Sequence, residues 1–349
     1  MIFTSDNASG CAPEIMQAIV DAEAGYAMPY GNDEITARAQ ARVREVFEAP
    51  EAAVYFVATG TAANALGLAC LCPPWATVYC HKGSHIEEDE CAAPEFFTGG
   101  AKLTLLDGDD AKMTEAGLRA AIGGAAPVGV HNVQKGALSL TQATEAGSAY
   151  TLAEVETLAG IARNAGIPVH MDGTRLANVL ARTNHTPAEM TWRAGVDILC
   201  LGATKNGALA AEAVILFDPE RAWEFELRRK RGGHLFSKMR TISAQMDAYL
   251  TDGLWLRLAG HANAMADRLA AGILANGEAH LPTSIGANML FPEITLAQHR
   301  RLQDAGARYY TMTPFDADGG ADQRIKTRLV ASFRTTEADV DGYLAALNG

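Results

Sequence analysis

The sequence predicts an α/β chain: a large domain, three layers deep around a mostly parallel sheet, followed by a smaller α+β module. Three observations lead there. Short apolar runs alternate with helical stretches through residues 1–245, the pattern of successive strand–helix units. From residue 246 onward the pattern changes to a long helical stretch, short strands and a closing helix. The chain has 349 residues, more than one compact core usually holds. The predicted division is 1–245, with residues 1–14 as an N-terminal arm, and 246–349.

Taken in order, residues 12–27 read as a helix with Ile15, Ile19 and Ala22 on its apolar face, and 35–47 as a second, highly charged one. The strand 53–57 breaks into Ala58-Thr-Gly-Thr61, and a small-residue helix covers 62–72. Further strands are expected at 77–80, 102–106, 128–131, 137–140, 168–171, 198–201 and 213–217, with a helix at 152–165 between two of them. Residues 243–276 read as one long helix leading into the second module. There, strands at 287–291 and 325–333 precede a helix at 336–347. In such sheets ligands bind beyond the carboxyl ends of the strands, and Thr61, Asp172 and Lys205 all fall at such ends.

Composition narrows the function. Hydrophobic residues make up 48% of the chain, and 29 basic against 41 acidic residues give a net charge of −12. That balance argues against a broad nucleic-acid surface, which needs clustered Lys and Arg. The six cysteines lie mostly in apolar surroundings, as reduced thiols of a cytoplasmic protein do; Cys70-x-Cys72 is a weak metal hint without a second pair. Met1-Ile-Phe-Thr runs at once into Ser5-Asp6-Asn7 with no leader pattern, and no apolar run reaches membrane-spanning length. No partner membrane is expected.

Several residues could carry chemistry. Thr59-Gly-Thr-Ala-Ala-Asn64 joins a strand to a helix, where free N–H groups bind anions; an ordinary threonine N-cap is the plainer reading. His170-Met-Asp172-Gly-Thr-Arg175 follows an apolar strand. Asp172 is either a helix cap or a carboxylate facing a cationic ring nitrogen, and Arg175 has the fork that matches a substrate carboxylate. His81 and His85, followed by an acidic run, admit a metal reading, although Gly83 between them disfavours a shared helix; a histidine stacked on a planar cofactor fits equally. His131 is a base or a satisfied buried histidine. Arg228 to Arg231, with Lys238 and Arg240, form the one basic cluster, either a solvated helix face or a phosphate site. Lys205 stands where the apolar run Val196–Leu201 opens into a Gly/Thr/Asn turn, as a surface residue or a Schiff-base amine.

Together these pieces resemble the low-specificity L-threonine aldolases, pyridoxal-phosphate enzymes of fold type I. The resemblance spans nearly the whole chain. It rests on Ser5-Asp6, Tyr30-Gly31 with Asp33, the Thr59–Asn64 segment, His85, His131, Asp172-Gly-x-Arg175, the Lys205 turn and Arg328-Leu-Val330, in the family's order. It implies that Lys205 carries pyridoxal phosphate through its amine, that Asp172 pairs with the pyridine nitrogen, and that His85 stacks on the ring. Gly60, Thr61 and Ala62 would bind the phosphate, helped by Arg240 from a neighbouring subunit, with Arg228, Arg229 and Arg231 as alternatives. Ser5, Arg175 and Arg328 would hold the substrate carboxylate, His131 would lie near its hydroxyl, and Tyr30 would reach in from a partner chain. No metal is implied, and the assembly would be a homotetramer of dimers that share active sites.

Two segments depart from the family pattern. Many members have Glu-Asn-Thr-His-Asn where this chain has Thr141-Gln-Ala-Thr-Glu145, and three glycines where it has Leu235-Phe-Ser-Lys before Met239-Arg240. The implied reaction is retro-aldol cleavage of threonine, allo-threonine or a bulkier β-hydroxy amino acid such as phenylserine, giving glycine and an aldehyde, with His131 or His85 as base. The rivals are a β-eliminating lyase of the same fold, a hydrolase with a metal on His81 and His85, and a binding protein that keeps only the fold.

Overall fold

A computed structural model describes residues 1–124 and 129–349. Seven strands form the main sheet: β1 (Ala53–Val57), β2 (Ala76–His81), β3 (Lys102–Leu106), β4 (Gln134–Thr141), β5 (Val169–Gly173), β6 (Ile198–Gly202) and β7 (Glu212–Leu216). Their spatial order is β1-β7-β6-β5-β4-β2-β3. β2 to β6 run parallel, and β7 lies antiparallel to both β6 and β1.

Alternation along the strands makes the three layers. Val54, Phe56, Leu199, Leu201, Ala213 and Ile215 enter one apolar core, while Tyr55, Val57, Ile198, Cys200, Val214 and Leu216 enter another. Successive side chains of a strand point to opposite faces, so each buried strand feeds both cores. Helices Pro13–Ala22, Glu34–Val46, Leu152–Asn164 and Arg240–Leu250 contribute to the first core. Helix Gly60–Leu71 lies under the second, covered in turn by Ala93–Thr98 and Ala222–Arg231. It is apolar all round, as a sandwiched helix must be. Its small residues bring it close to the strands: a Cβ at Gly67 would meet Ile198 Cγ2 at 3.3 Å.

The C-terminal part carries its own antiparallel sheet, with β11 (Arg324–Val330) pairing β8 (Met289–Leu290), β9 (Glu293–Thr295) and β10 (Tyr310–Thr311). A separate apolar core gathers Leu269, Ile273, Leu329, Val340 and Tyr343. Phe3 of the N-terminal arm is part of that core, and the arm pairs with both sides of it: Phe3 N–H donates to Arg308 O at 2.8 Å, and Val330 N–H donates to Phe3 O at 2.9 Å. Among the described residues, no helix is long and apolar enough to cross a membrane.

Two expectations fail. The strand predicted at 128–131 is a short 3-10 turn at Gly129–His131; Val128 lies outside the described residues. An apolar run this short has no length to distinguish strand from turn. The long helix predicted at 243–276 is two, Arg240–Leu250 and Leu254–Asn276, broken at Thr251–Gly253, where Asp252 and Gly253 have φ of 50° and 67°. Asp-Gly is a turn signal that the helical periodicity on either side outweighed.

Candidate active site

β6 is buried along its whole length and delivers Lys205 in a 3-10 turn at Thr204–Asn206. The turn is held from several sides. Ala203 N–H donates to Glu212 Oε2 at 3.1 Å, and Ala211 N–H donates to Thr204 Oγ1 at 3.1 Å. The Asn206 amide donates to Tyr249 Oη at 2.9 Å and to Trp255 O at 2.8 Å. Gly207 closes the turn at φ 112°, and a Cβ there would meet Leu258 Cδ1 at 2.9 Å. The lysine itself makes no hydrogen bond among the described residues. Burial, then the Arg175 charge, lowers its pKa against the opposing pull of Asp6, Glu145 and Asp172.

Asp172, buried at the exit of β5, accepts from Thr174 N–H at 3.0 Å and Thr174 Oγ1–H at 2.7 Å through Oδ1, and from Asn64 Nδ2–H at 3.0 Å through Oδ2. Burial opposes its charge, but the His85 charge, the Thr174 bonds and the Lys205 charge outweigh it and hold the carboxyl below the usual range. Gly202 makes this approach possible: a Cβ there would stand 2.6 Å from Thr174 O.

Asn64 also donates to Glu90 Oε1 at 2.8 Å, and His85 Nδ1 lies 2.7 Å from the same oxygen. That oxygen already accepts from Asn64, so His85 Nδ1 is the donor and Nε2 faces the cavity. Burial disfavours charge on His85, but the Glu90 hydrogen bond and the Asp172 charge raise its pKa overall; burial pushes the Glu90 carboxyl up. His85, Glu90 and Asp172 offer atoms within 4.8 Å of one another. The Asn64 amide nitrogen is hydrogen-bonded to both carboxylates, so a donor group joins them. The metal pair of His81 and His85 is not formed. His81 accepts from Gly83 N–H at 3.0 Å and binds Gly108 O at 3.1 Å, so both its ring nitrogens order the loop.

At the start of helix Gly60–Leu71, Thr59 caps Ala62 N–H at 3.2 Å. Ala62 therefore has its donor taken, and the N–H groups of Gly60 and Thr61 are the ones left open. They face a cavity of about 270 Å³ also lined by Asn64, His85, Thr174, Lys205 and Glu212. A larger groove of about 830 Å³ beside Phe96, Leu227 and Arg231 gathers no such set.

Arg175 is buried and tied to the equally buried Asp6 through Nε at 2.8 Å and Nη2 at 3.1 Å. Burial works against its charge, but Asp6 and Glu145 raise its pKa overall, and Nη1 makes no hydrogen bond among the described residues. Arg175 is thus a clamp with one edge anchored and one edge available. Arg328, on β11, has no carboxylate partner among the described residues; its nearest polar contact is Met289 Sδ at 3.9 Å. Burial and the Arg175 charge lower its pKa. Two guanidinium groups that repel each other mark a place for an anion. Ser5 caps the short turn that carries Asp6, accepting from Asn7 N–H at 3.1 Å.

The remaining expected residues lie elsewhere. His131 is exposed and precedes Gln134, at the amino end of β4. Roughly 25 Å of strand separates it from Thr141, the end that pairs with Asp172. The expectation that it lies near the substrate hydroxyl is therefore not met within this chain, because it precedes the strand whose far end reaches the site. Tyr30 and Arg240 do not line the cavity either. Tyr30 has φ 61°, donates its N–H to Ser237 O at 2.9 Å and lies under the Lys230 ammonium at 5.0 Å. Arg240 reaches Glu23 at 3.5 Å and Gly25 O at 3.4 Å. Arg228 is paired with Glu224 and Arg229 lies over the Tyr55 ring, so both are engaged locally. Asn64, Asp6, Glu90 and Glu145 stand in segments that the sequence reading quoted without assigning them a place in the cofactor site, and Glu212 was not quoted at all. Glu212 had a signal, one carboxylate inside the apolar run from Ala210 to Phe217.

Residues 3–293 match the beta-eliminating lyase family. The chain is 39% identical over 338 residues to a low specificity L-threonine aldolase of Pseudomonas sp., covering 97% of this chain and 94% of that one. A protein of the same description from Pseudomonas aeruginosa is 39% identical over 319 residues, covering 91% and 90%. The chain belongs to the threonine aldolase family. The threonine aldolase of Leishmania major superposes with a TM-score of 0.92 at 27% identity, covering 99% of this chain and 98% of that one. The family resemblance drawn from the ordered residues is borne out, as is the mostly parallel sheet with a small second sheet after it.

Proposed function

We propose that this protein is a pyridoxal-phosphate-dependent carbon–carbon lyase that cleaves L-threonine, L-allo-threonine and related β-hydroxy-α-amino acids, phenylserine among them, to glycine and an aldehyde. The observation that carries this reading is one cavity lined by Lys205, His85 and the open N–H groups of Gly60 and Thr61, with Asp172 held at the neighbouring strand exit by Asn64 and Thr174, which line the cavity too. The donor set fits the cofactor. An amine with lowered pKa suits an aldehyde, a carboxylate kept ionised suits a pyridinium, and a helix start suits a phosphate. Asn64 Oδ1 and Glu90 Oε2 are buried without partners beside that place.

When bound, pyridoxal phosphate supplies an electron sink for the pair released at the substrate's Cα. This chain's residues do the rest. Asp172 would keep the ring nitrogen protonated, and His85 would cover the ring. Arg328 and the open edge of Arg175, with Ser5, would hold the substrate carboxylate and so orient the bonds at Cα. Asp6 keeps Arg175 aimed. A partner subunit completes the site in this reading, its Tyr30 and Arg240 reaching across in a tetramer built of dimers. Glycine and aldehyde release from threonine, allo-threonine and phenylserine tests the assignment. A yellow, borohydride-bleachable protein that releases no glycine from any of them overturns it. A β-elimination reading draws on the family's description; release of ammonia and a keto acid in place of glycine would favour it.

A further inference from the structure

Cleavage needs a base for the β-hydroxyl proton, and this step rests on the aldolase reading above. The two histidines offered by the sequence have other places: His131 is at the other end of the sheet, and His85 has Nδ1 bound to Glu90 and covers the ring in the aldolase reading. The carboxylates around the cavity are mostly engaged. Asp6 holds Arg175, Asp172 holds Thr174 and Asn64, Glu90 holds His85 and Asn64, and Glu212 holds Ala203 N–H. Glu145 follows the strand end where Thr141 pairs with Asp172 and Gln142 N–H donates to Asp172 O at 2.8 Å, and its carboxylate makes no hydrogen bond or ion pair among the described residues.

Its backbone is nevertheless fixed. Four residues past the end of β4, the turn closes with Thr144 N–H donating to Ser148 O at 2.9 Å and Gly147 N–H donating to Thr144 O at 2.9 Å. Thr144 Oγ1 and Ser148 Oγ both donate to Asp110 O, at 3.0 and 2.7 Å, and Gly286 N–H donates to Gly147 O at 2.7 Å. A rigid turn thus carries a half-buried, unpartnered carboxylate. Its charge acts on His85, Arg175, Lys205 and Arg328. In the aldolase reading Lys205 marks the amine end of the substrate and the two arginines mark its carboxylate. The substituent left for Glu145 is the one on Cβ.

We propose that Glu145 is the catalytic base that takes the β-hydroxyl proton. The O–H bond breaks, with its proton going to Glu145, and its electron pair forms the aldehyde C=O. The Cα–Cβ bond breaks, its pair is taken up through pyridoxal phosphate, and a proton then replaces Cβ at Cα to give glycine. No oxidant or reductant is involved.

The test uses cofactor-loaded wild type, Glu145→Gln and Glu145→Asp. Three quantities are read: kcat and KM for threonine and phenylserine, the pH profile of kcat, and glycine affinity from the cofactor's absorbance. Glu145→Gln is expected to lower kcat by about 10²- to 10⁴-fold, the usual worth of a positioned base, and to remove the acid limb of the profile. Glycine has no β-hydroxyl, so its affinity should move by less than about threefold, and Glu145→Asp should restore part of kcat. A kcat within about tenfold of wild type overturns the assignment. So does a loss confined to KM with a matching change in glycine affinity, which would make Glu145 a charge partner of the arginines. If wild type releases no glycine from any β-hydroxy amino acid, the aldolase reading itself falls and takes this role with it.

Discussion

The two ends of the main sheet are built from the same strands and behave as different materials. At the carboxyl end, Asp172, Lys205, His85, Glu90 and Glu212 converge with Asp6, Arg175 and Arg328, several of them nearly or fully buried. At the amino end, His131 and Gln134 are exposed, with Gln134 N–H donating to Trp75 O at 2.9 Å to start the strand pairing. Parallel strands all exit on one side, so the loops that follow them gather there, while the amino ends receive only incoming connections. The difference teaches that a titratable side chain acquires a role from the side of the sheet it falls on, more than from its type.

Substitutions can be ranked against that contrast. The largest effect is expected for Lys205→Ala, which should abolish turnover and the borohydride-fixed cofactor, read by mass of the reduced protein; residual fixed cofactor would move the anchoring amine elsewhere. Next comes Asp6→Asn. Removing one partner of a buried ion pair costs about 3–5 kcal/mol, so a large drop in denaturant midpoint is expected along with weakened amino-acid binding. A midpoint equal to the parent's would mean that Arg175 is anchored by something else.

Glu212 offers a pH test at the same end. Burial pushes its carboxyl up to about 7 from the usual 4.5. The folded chain therefore binds more protons than the unfolded one between those values, and unfolding free energy should fall as pH rises through that window. Glu212→Gln should flatten the slope in cofactor-free protein, by roughly 3 kcal/mol across the window; an unchanged slope would show that Glu212 is ionised throughout. The smallest effect belongs to the amino end. His131→Ala should leave glycine release within about twofold and stability within about 0.5 kcal/mol, as for an exposed residue without a cap or partner. A large loss of turnover would erase the contrast between the ends, and would place His131 in another subunit's site.

Much of this was legible before the structure. The strands at 53–57 and 102–106 and the turn after β6 follow from apolar runs bounded by small polar residues, a local signal. Thr61, Asp172 and Lys205 were placed at strand exits for the same reason. Glu90 was not, because as the last member of the run Glu87-Glu88-Asp89-Glu90 it looks like any solvated acidic stretch. Only its burial and its bonds to Asn64 and His85 distinguish it. His131 erred in the opposite direction: it followed a short apolar run taken for a strand, and the true strand begins after it.

The sequence by itself determined the layers and the inventory of chemistry. A period of two in buried strands assigns residues to opposite faces, and the ordered set Asp172, Arg175, Lys205 and Arg328 carries the resemblance to a family that binds a phosphorylated pyridine aldehyde and an amino acid. Only the tertiary structure decided which of those groups meet. Asp6 and Arg175 are 169 positions apart, and Asn64 and Asp172 are 108 apart. No local periodicity encodes contacts of that span. They exist because the strands are parallel and the arm folds back over their carboxyl ends, so that charges scattered along the chain share one poorly solvated space and shift one another's protonation.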